Sequence, residues 1–188
     1  PIAGRFVISR GAKTEAHVIR VTVTQGAHAG QGECVPYGRY GETIESVLAE
    51  IGRHRELLES GIGRLAVNEQ MPAGAARNAI DCALWDLEAK RTGTSAFESA
   101  GAAPMKPVMT AYTLSLGTPD EMGAAARAAS GRPMLKIKVG GDGDIDRLAA
   151  VRSGAPDALI IVDANEGWND RTIEANLQAC KKFGVALV

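Results

Sequence analysis

The 188-residue sequence has neither a basic stripe nor a long apolar run. Its 21 Lys and Arg residues against 22 Asp and Glu residues give a net charge of −1, and the cations are scattered along the chain. Because binding to a nucleic-acid backbone needs clustered cations, no nucleic-acid partner is expected. The longest apolar stretches fall far short of the roughly 20 residues that a membrane span needs. No membrane segment is therefore expected.

Cysteine is also rare. The three cysteines, Cys34, Cys82 and Cys180, form no CxxC pair and have no pair of histidines nearby. An odd number without a spacing pattern favours reduced core thiols over a disulfide or a metal site. No charged and then apolar leader opens the sequence, but it starts at Pro1 without a Met, so it does not test for a leader. A cytoplasmic location is the default expectation.

The first hundred residues predict a small α+β domain. Residues 16–24 alternate apolar with polar side chains, and a turn rich in Gly and Ala follows at 26–30, which is typical of antiparallel strands. Apolar residues at helical spacing predict helices over 42–58 and 73–90. The pattern changes after Pro104, so we assign residues 1–104 to this domain and 105–188 to a second one.

Strands alternate with helices in the second domain. We predict strands at 108–112, 135–139, 159–162 and 185–188, and helices at 119–129, 144–152 and 171–183. Strand–helix units repeating about every 25 residues indicate an α/β fold with a parallel sheet, either doubly wound or a barrel. Because a (β/α)8 barrel needs around 250 residues, four strands would be an incomplete first half of one.

Two lysines occupy alternate positions of one predicted strand. Lys136 and Lys138 project from the same face, because side chains two apart on a strand share a side. Neighbouring like charges and burial both favour a neutral amine, the form that can remove a carbon-bound proton. The alternative is a pair of solvated charges on an edge strand.

The next strand ends in polar residues that suit a hard cation. Asp163 and Asn165 follow an apolar run, and ligand groups gather at the carboxyl ends of strands in α/β sheets. A single carboxylate is not a metal site, and Asp163 could equally cap the following helix. A base beside a divalent cation is nevertheless what proton abstraction next to a carboxylate requires, because the resulting enolate must be neutralised.

Residues 142–146 open like a calcium loop. Arg147 stands where that motif needs Gly, and Ser153 where it needs a bidentate Glu. We therefore interpret the segment containing Asp144 as a strand–helix loop and helix cap.

Six segments resemble the muconate-lactonising subgroup of the enolase superfamily, and within it the dipeptide epimerases. They span nearly the whole chain in the family's order: 6–11 (FVISRG), 32–37 (GECVPY), 39–42 (RYGE), 110–113 (TAYT), 135–138 (LKIK) and 162–168 (VDANEGW). The resemblance implies a small α+β capping domain followed by a (β/α)8-type barrel. It also implies Mg²⁺-dependent epimerisation of dipeptides such as L-Ala-D/L-Glu through an enolate.

The resemblance assigns roles at the ends of two strands. Lys138 would be one of two acid/base catalysts, and Lys136 would contact the substrate carboxylate and temper its neighbour. Asp163 would be the first of three carboxylate ligands of Mg²⁺, with Asn165 beside it in support.

Other residues would contact the dipeptide. Thr113 would touch it from the end of the first barrel strand, while a loop with Arg10 and Lys13 would cap the site and choose the side chain. A cation at Lys13 would suit an acidic residue such as Glu, although Lys lacks the bidentate fork of Arg.

The family's remaining metal carboxylates and its opposing lysine would lie beyond Val188. Because epimerisation needs a base on one face of the enolate and an acid on the other, we expect these 188 residues alone to be inactive.

Two other kinds of function stay open. An N-acylamino-acid racemase, a muconate cycloisomerase or an o-succinylbenzoate synthase would use the same lysines and metal on another small molecule. A non-catalytic half-barrel fragment could instead self-associate through its open strand edges, so homo-oligomerisation is also open. A nucleotide-binding domain is disfavoured by the missing glycine fingerprint.

Overall fold

A computed structural model describes residues 1–2 and 5–188 of the chain. Their contacts divide them into two compact units, Ala16–Lys106 and Pro1–Glu15 with Pro107–Val188. The first fifteen residues contain an antiparallel hairpin of β1 (Phe6–Ile8) and β2 (Gly11–Lys13). This hairpin groups with the C-terminal residues, because Leu116 N–H donates to Val7 O at 3.0 Å. The sequence-based division at residue 104 had instead assigned these first fifteen residues to the N-terminal domain.

The Ala16–Lys106 unit is a second antiparallel hairpin packed on helices. The hairpin consists of β3 (Ile19–Gln25) and β4 (His28–Cys34). The helices that follow a short 3-10 turn (Gly38–Tyr40) are α1 (Ile44–Arg53), α2 (Arg55–Glu59), α3 (Arg64–Gln70), α4 (Ala75–Thr92) and α5 (Ala96–Ser99). Helix α1 begins where Thr43 Oγ1 accepts the Ser46 N–H at 3.1 Å, and α4 ends at Gly93, which has φ of +71°.

The other unit contains a parallel sheet in the order β5-β6-β7-β8. Its elements alternate along the chain: β5 (Tyr112–Leu114), α6 (Pro119–Ala128), β6 (Met134–Lys138), α7 (Asp144–Gly154), β7 (Leu159–Asp163), α8 (Ile173–Lys182) and β8 (Val185–Leu187). Leu135, Ile137 and Ile160 on one face of the sheet join a buried core with Met122 and Leu148 from the helices. The helices thus cover one face of the sheet.

The predicted fold class is confirmed: an α+β part precedes parallel strand–helix units. The strand predicted at 108–112 is wrong, because β5 begins only at Tyr112. Within the described residues, the pairing of this segment with β6 begins only at Tyr112, opposite Leu135, and Val108 is 87% exposed. The helix predicted over 42–58 is interrupted at His54, whose φ and ψ of −101° and 10° separate α1 from α2.

In the part of the chain that the structure describes, no helix is both long enough and apolar enough to cross a membrane.

Strand β4 lies directly against the backbone of α4. A Cβ on Gly32 would lie 2.0 Å from Ala79 O, and a Cβ on Gly30 would lie 2.1 Å from Ala83 O. Since neither the strand nor the helix backbone can yield without disturbing its own hydrogen bonds, any larger residue forces the two apart.

We therefore expect Gly32→Ala to lower the free energy of unfolding by about 2–3 kcal/mol, measured by urea denaturation followed by circular dichroism. The matched control is Gly52→Ala on exposed α1, where a Cβ meets nothing within 4 Å. That change should raise stability by about 0.5–1 kcal/mol, because Ala is the better helix former. Equal effects of the two substitutions would contradict this close packing.

Candidate active site

The candidate site lies at the carboxyl ends of β6 and β7. In the parallel register Lys138 pairs with Asp163, and Thr113 of β5 pairs with Lys136. Register partners in a sheet project to the same side, so Thr113, Lys136, Lys138 and Asp163 share one face. It is the face opposite to the helix-covered core.

Both lysines contact a single carboxylate oxygen. Lys138 Nζ lies 2.7 Å and Lys136 Nζ 2.9 Å from Asp163 Oδ2. The side chain of Lys138 is only 8% exposed, whereas that of Lys136 is 36% exposed. The two ammonium groups are therefore not isolated like charges, because a negative charge lies between them.

The carboxyl group of Asp163 is held in its charged form. Its partial burial would by itself raise the pKa, but hydrogen bonds from Lys138, Lys136 and the Asn165 N–H outweigh that effect and lower the pKa to about 2. Asp163 is thus a carboxylate throughout the physiological pH range, the state that a metal ligand or a counter-charge for lysine requires.

The loop after β7 turns sharply around this carboxylate. Asn165 and Glu166 have φ of +48° and +63°, values that few non-Gly residues adopt. The turn lets Asn165 N–H donate to Asp163 Oδ1 at 2.9 Å. Asn165 Oδ1 is buried, and none of residues 1–2 and 5–188 provides it with a hydrogen-bond partner. Such an atom is costly unless it accepts a hydrogen bond or binds a cation.

The β1–β2 hairpin contacts the same loop. Ser9 Oγ donates to Asn165 O at 3.0 Å, and Arg10 Nη1 lies 3.1 Å from Glu166 Oε1. The ring of Phe6 is centred 5.7 Å from Lys138 Nζ. Lys13 lies across the hairpin from Phe6, on the exposed strand β2.

The structure thus brings Lys136, Lys138, Asp163 and Asn165 together, and it places Thr113 beside Lys136. Arg10 approaches this group through Glu166. What these residues do in a reaction stays a prediction.

Sequence reasoning gave no role to Phe6, Ser9 or Glu166. Phe6 and Ser9 belong to the segment at 6–11 that resembles the family, and this was the available signal. It could not identify their contacts, because Ser9 of the hairpin and Asn165 of the β7–α8 loop are 156 positions apart in the sequence.

The arrangement offers a nearly buried amine beside a charged oxygen ligand. The amine could remove a proton from a carbon atom, and the carboxylate could bind a cation beside that carbon. Within residues 1–2 and 5–188, however, no cluster of three or more His, Cys, Asp or Glu side chains could hold a metal ion. Asp163 would be one ligand of several.

Two family models match the chain. The model described as "Mandelate racemase / muconate lactonizing enzyme, N-terminal domain" covers residues 1–101, and the one described as "Enolase C-terminal domain-like" covers residues 121–188. An L-Ala-D/L-Glu epimerase of Escherichia coli (strain K12) is 42% identical over 190 residues, which are 100% of this chain and 59% of that protein.

Solved structures agree with this similarity. An enolase family member from Agrobacterium tumefaciens with homology to dipeptide epimerases, bound to sodium and L-Ala-L-Glu, is 49% identical with a TM-score of 0.95. The match covers 99% of this chain and 57% of that one. A dipeptide epimerase from Cytophaga hutchinsonii, complexed with Mg and D-Ala-L-Val, is 27% identical with a TM-score of 0.82, over 96% of this chain and 53% of that one.

The chain therefore spans little more than half the length of each of these proteins. The two family models between them match most of its residues. The chain belongs to the mandelate racemase/muconate lactonizing enzyme family of the enolase superfamily.

Proposed function

We propose that this chain contains one side of the active site of a dipeptide epimerase, an isomerase that inverts the α-carbon of substrates such as L-Ala-D/L-Glu. The observation that supports it most directly is the contact of the nearly buried Lys138 with Asp163 Oδ2 at 2.7 Å. This contact places a candidate base, Lys138, next to a candidate metal ligand, Asp163. The names of the similar proteins support the substrate class.

Lys138 is the residue to which we assign proton transfer. To act as the base, Lys138 must be the neutral amine: its Nζ then takes the α-proton of the substrate and becomes an ammonium, leaving a planar enolate. As the acid, it returns a proton to the same face. The nearby ring of Phe6 helps to exclude water from the amine.

Lys136 and Thr113 orient the substrate. Lys136 is more exposed than Lys138 and shares its face, so its ammonium can bind the substrate carboxylate next to the carbon that reacts. The hydroxyl of Thr113, one strand away, can donate to or accept from the peptide of the dipeptide.

Asp163 fits a role as one ligand of Mg²⁺. It is an ionised oxygen donor, and the unpartnered Asn165 Oδ1 lies on the loop that folds back onto it. When bound, Mg²⁺ would offset the negative charge that develops on the substrate carboxylate as the α-proton leaves. Its other ligands, like the catalyst on the opposite face of the enolate, would be supplied by residues outside this sequence.

A cytoplasmic location is also part of the proposal. The thiol of Cys82 is free and exposed, a state that persists in reducing compartments.

Sedimentation of the purified protein would show whether it forms a homo-oligomer.

In the complete protein that contains this chain, the α-proton of Glu in L-Ala-L-Glu should exchange in D₂O with Mg²⁺, as followed by ¹H NMR. We expect Lys138→Met to slow the conversion of L-Ala-L-Glu to its D-Glu epimer at least about 100-fold, the usual contribution of an acid/base catalyst, because inversion needs the catalysts on both faces of the enolate. Lys181→Met changes an exposed lysine of α8 and is the matched control.

Epimerisation by Lys138→Met at the wild-type rate would rule out this role for Lys138. Exchange of an N-acyl amino acid, or deuterium incorporation on lactonisation of muconate, with no exchange of dipeptides, would move the function to one of the alternative enzymes. Exchange by the 188 residues alone would contradict their expected inactivity.

We assign selection of an acidic side chain to Lys13. Replacing it with Met should raise KM for L-Ala-L-Glu about tenfold and leave KM for L-Ala-L-Leu unchanged, because only the first substrate loses a charged hydrogen bond. Arg10→Gln is the comparison, since it breaks the pair with Glu166 and should affect both dipeptides alike. Equal changes of both KM values in Lys13→Met would contradict the assignment.

A further inference from the structure

Asp144 is a wholly buried carboxylate whose side chain is 0% exposed. Its Oδ2 accepts hydrogen bonds from the N–H groups of Gly140 and Gly141 at 2.9 and 3.0 Å, and from Trp168 Nε1 at 2.8 Å. Its Oδ1 accepts one from Arg147 Nη1 at 2.9 Å. A buried charge is tolerated only when its lone pairs are used in this way. The group is more than the helix cap that its sequence position indicates.

These donors belong to loops at the catalytic ends of two strands. Gly140 and Gly141 follow Lys138 by two and three residues, and Trp168 follows Asp163 by five. The indole hydrogen bond therefore connects the loop after the lysine strand to the loop after the carboxylate strand.

Arg147 extends the connection to a third loop. Its Nε donates to Gly117 O, between β5 and α6, at 2.7 Å, and its Nη1 donates to Asp142 O at 2.6 Å. The ion pair of Asp144 with Arg147 thus links the loops that follow β5, β6 and β7.

The two loops nearest the candidate site also pack backbone against backbone. A Cβ on Gly167 would lie 2.4 Å from Gly140 Cα, and a Cβ on Gly140 would lie 2.6 Å from Ala164 O. Because the two loops are in backbone contact, a shift of the β6–α7 loop would displace the β7–α8 loop as well. Because general-base catalysis depends steeply on position, a displacement of Lys138 relative to Asp163 by a fraction of an ångström lowers the rate.

We propose that Asp144, through its hydrogen bond to Trp168, is a positioning residue that fixes Lys138 relative to Asp163. This inference rests on the proposed function of those two residues. The hydrogen bonds of Asp144 go to Gly140, Gly141, Arg147 and Trp168, and not to Lys138 or Asp163. Its effect is on the chemical step and not on substrate binding.

The decisive variants are Trp168→Phe, which keeps an aromatic ring and removes only the N–H donor, and Asp144→Asn, which keeps the shape and removes the charge. In the complete protein each should lower kcat for epimerisation about 10- to 100-fold with KM changed less than threefold. The double variant should be no slower than the slower single variant, because both remove the same connection.

A spectroscopic readout tests the hydrogen bond without activity. The indole ¹H resonance of Trp168, identified by its absence in Trp168→Phe, should lie downfield and exchange slowly with solvent. It should move upfield in Asp144→Asn. An unchanged resonance would overturn the proposal.

The matched control is Arg152→Met at the other end of α7. Arg152 donates to Ala158 O, Phe183 O and Gly184 O, which precede β7 and β8. Its loss should destabilise the fold and leave kcat unchanged. If wild type is active and Trp168→Phe or Asp144→Asn keeps the wild-type kcat, the positioning role is wrong. If wild type exchanges no substrate, the proposed function fails, and the indole resonance still tests the connection.

Discussion

One carboxylate oxygen, Asp163 Oδ2, accepts hydrogen bonds from both Lys136 and Lys138, and the rest of the site depends on this contact. An ammonium group as enclosed as that of Lys138 is costly without a counter-charge. The contact exists because β6 and β7 pair with Lys138 opposite Asp163. A slip of one residue would turn Asp163 to the helix-covered face, so the packing of the apolar face specifies the register of the polar one.

The β7–α8 loop is the second constraint, because two separate parts of the chain, the β1–β2 hairpin and the segment 140–144, contact it. Ser9 binds its backbone from the hairpin, Gly140 packs against it from the neighbouring loop, and Asp144 binds its Trp168. The positive φ values of Asn165 and Glu166 occur at this meeting point. Strain in a loop persists where surrounding contacts determine its conformation, and that is the situation here.

The main parts of the site could be predicted from the sequence because they follow from local rules. Alternation along a strand placed Lys136 and Lys138 on one face, and the end of an apolar strand placed Asp163 beside them. The contacts of Phe6 and Ser9 could not be predicted, since no local rule connects a hairpin to a loop so distant in sequence. The position of β5 was missed because the apolar residues before it resemble a strand, whereas within the described residues the pairing with β6 begins only at Tyr112.

Helix α7 illustrates how one element serves two needs. In its first turn Asp144 and Arg147 bind the loops at the ends of the strands, where the lysine and the carboxylate lie. In its last turn Arg152 binds carbonyl oxygens at the beginnings of the next two strands. Both ends satisfy buried or constrained polar groups, so burial and hydrogen bonding alone do not distinguish them. The distinction comes from strand direction, because the candidate catalytic groups lie at the carboxyl ends of the strands. A contact at those ends can therefore affect the reaction rate as well as the stability of the fold.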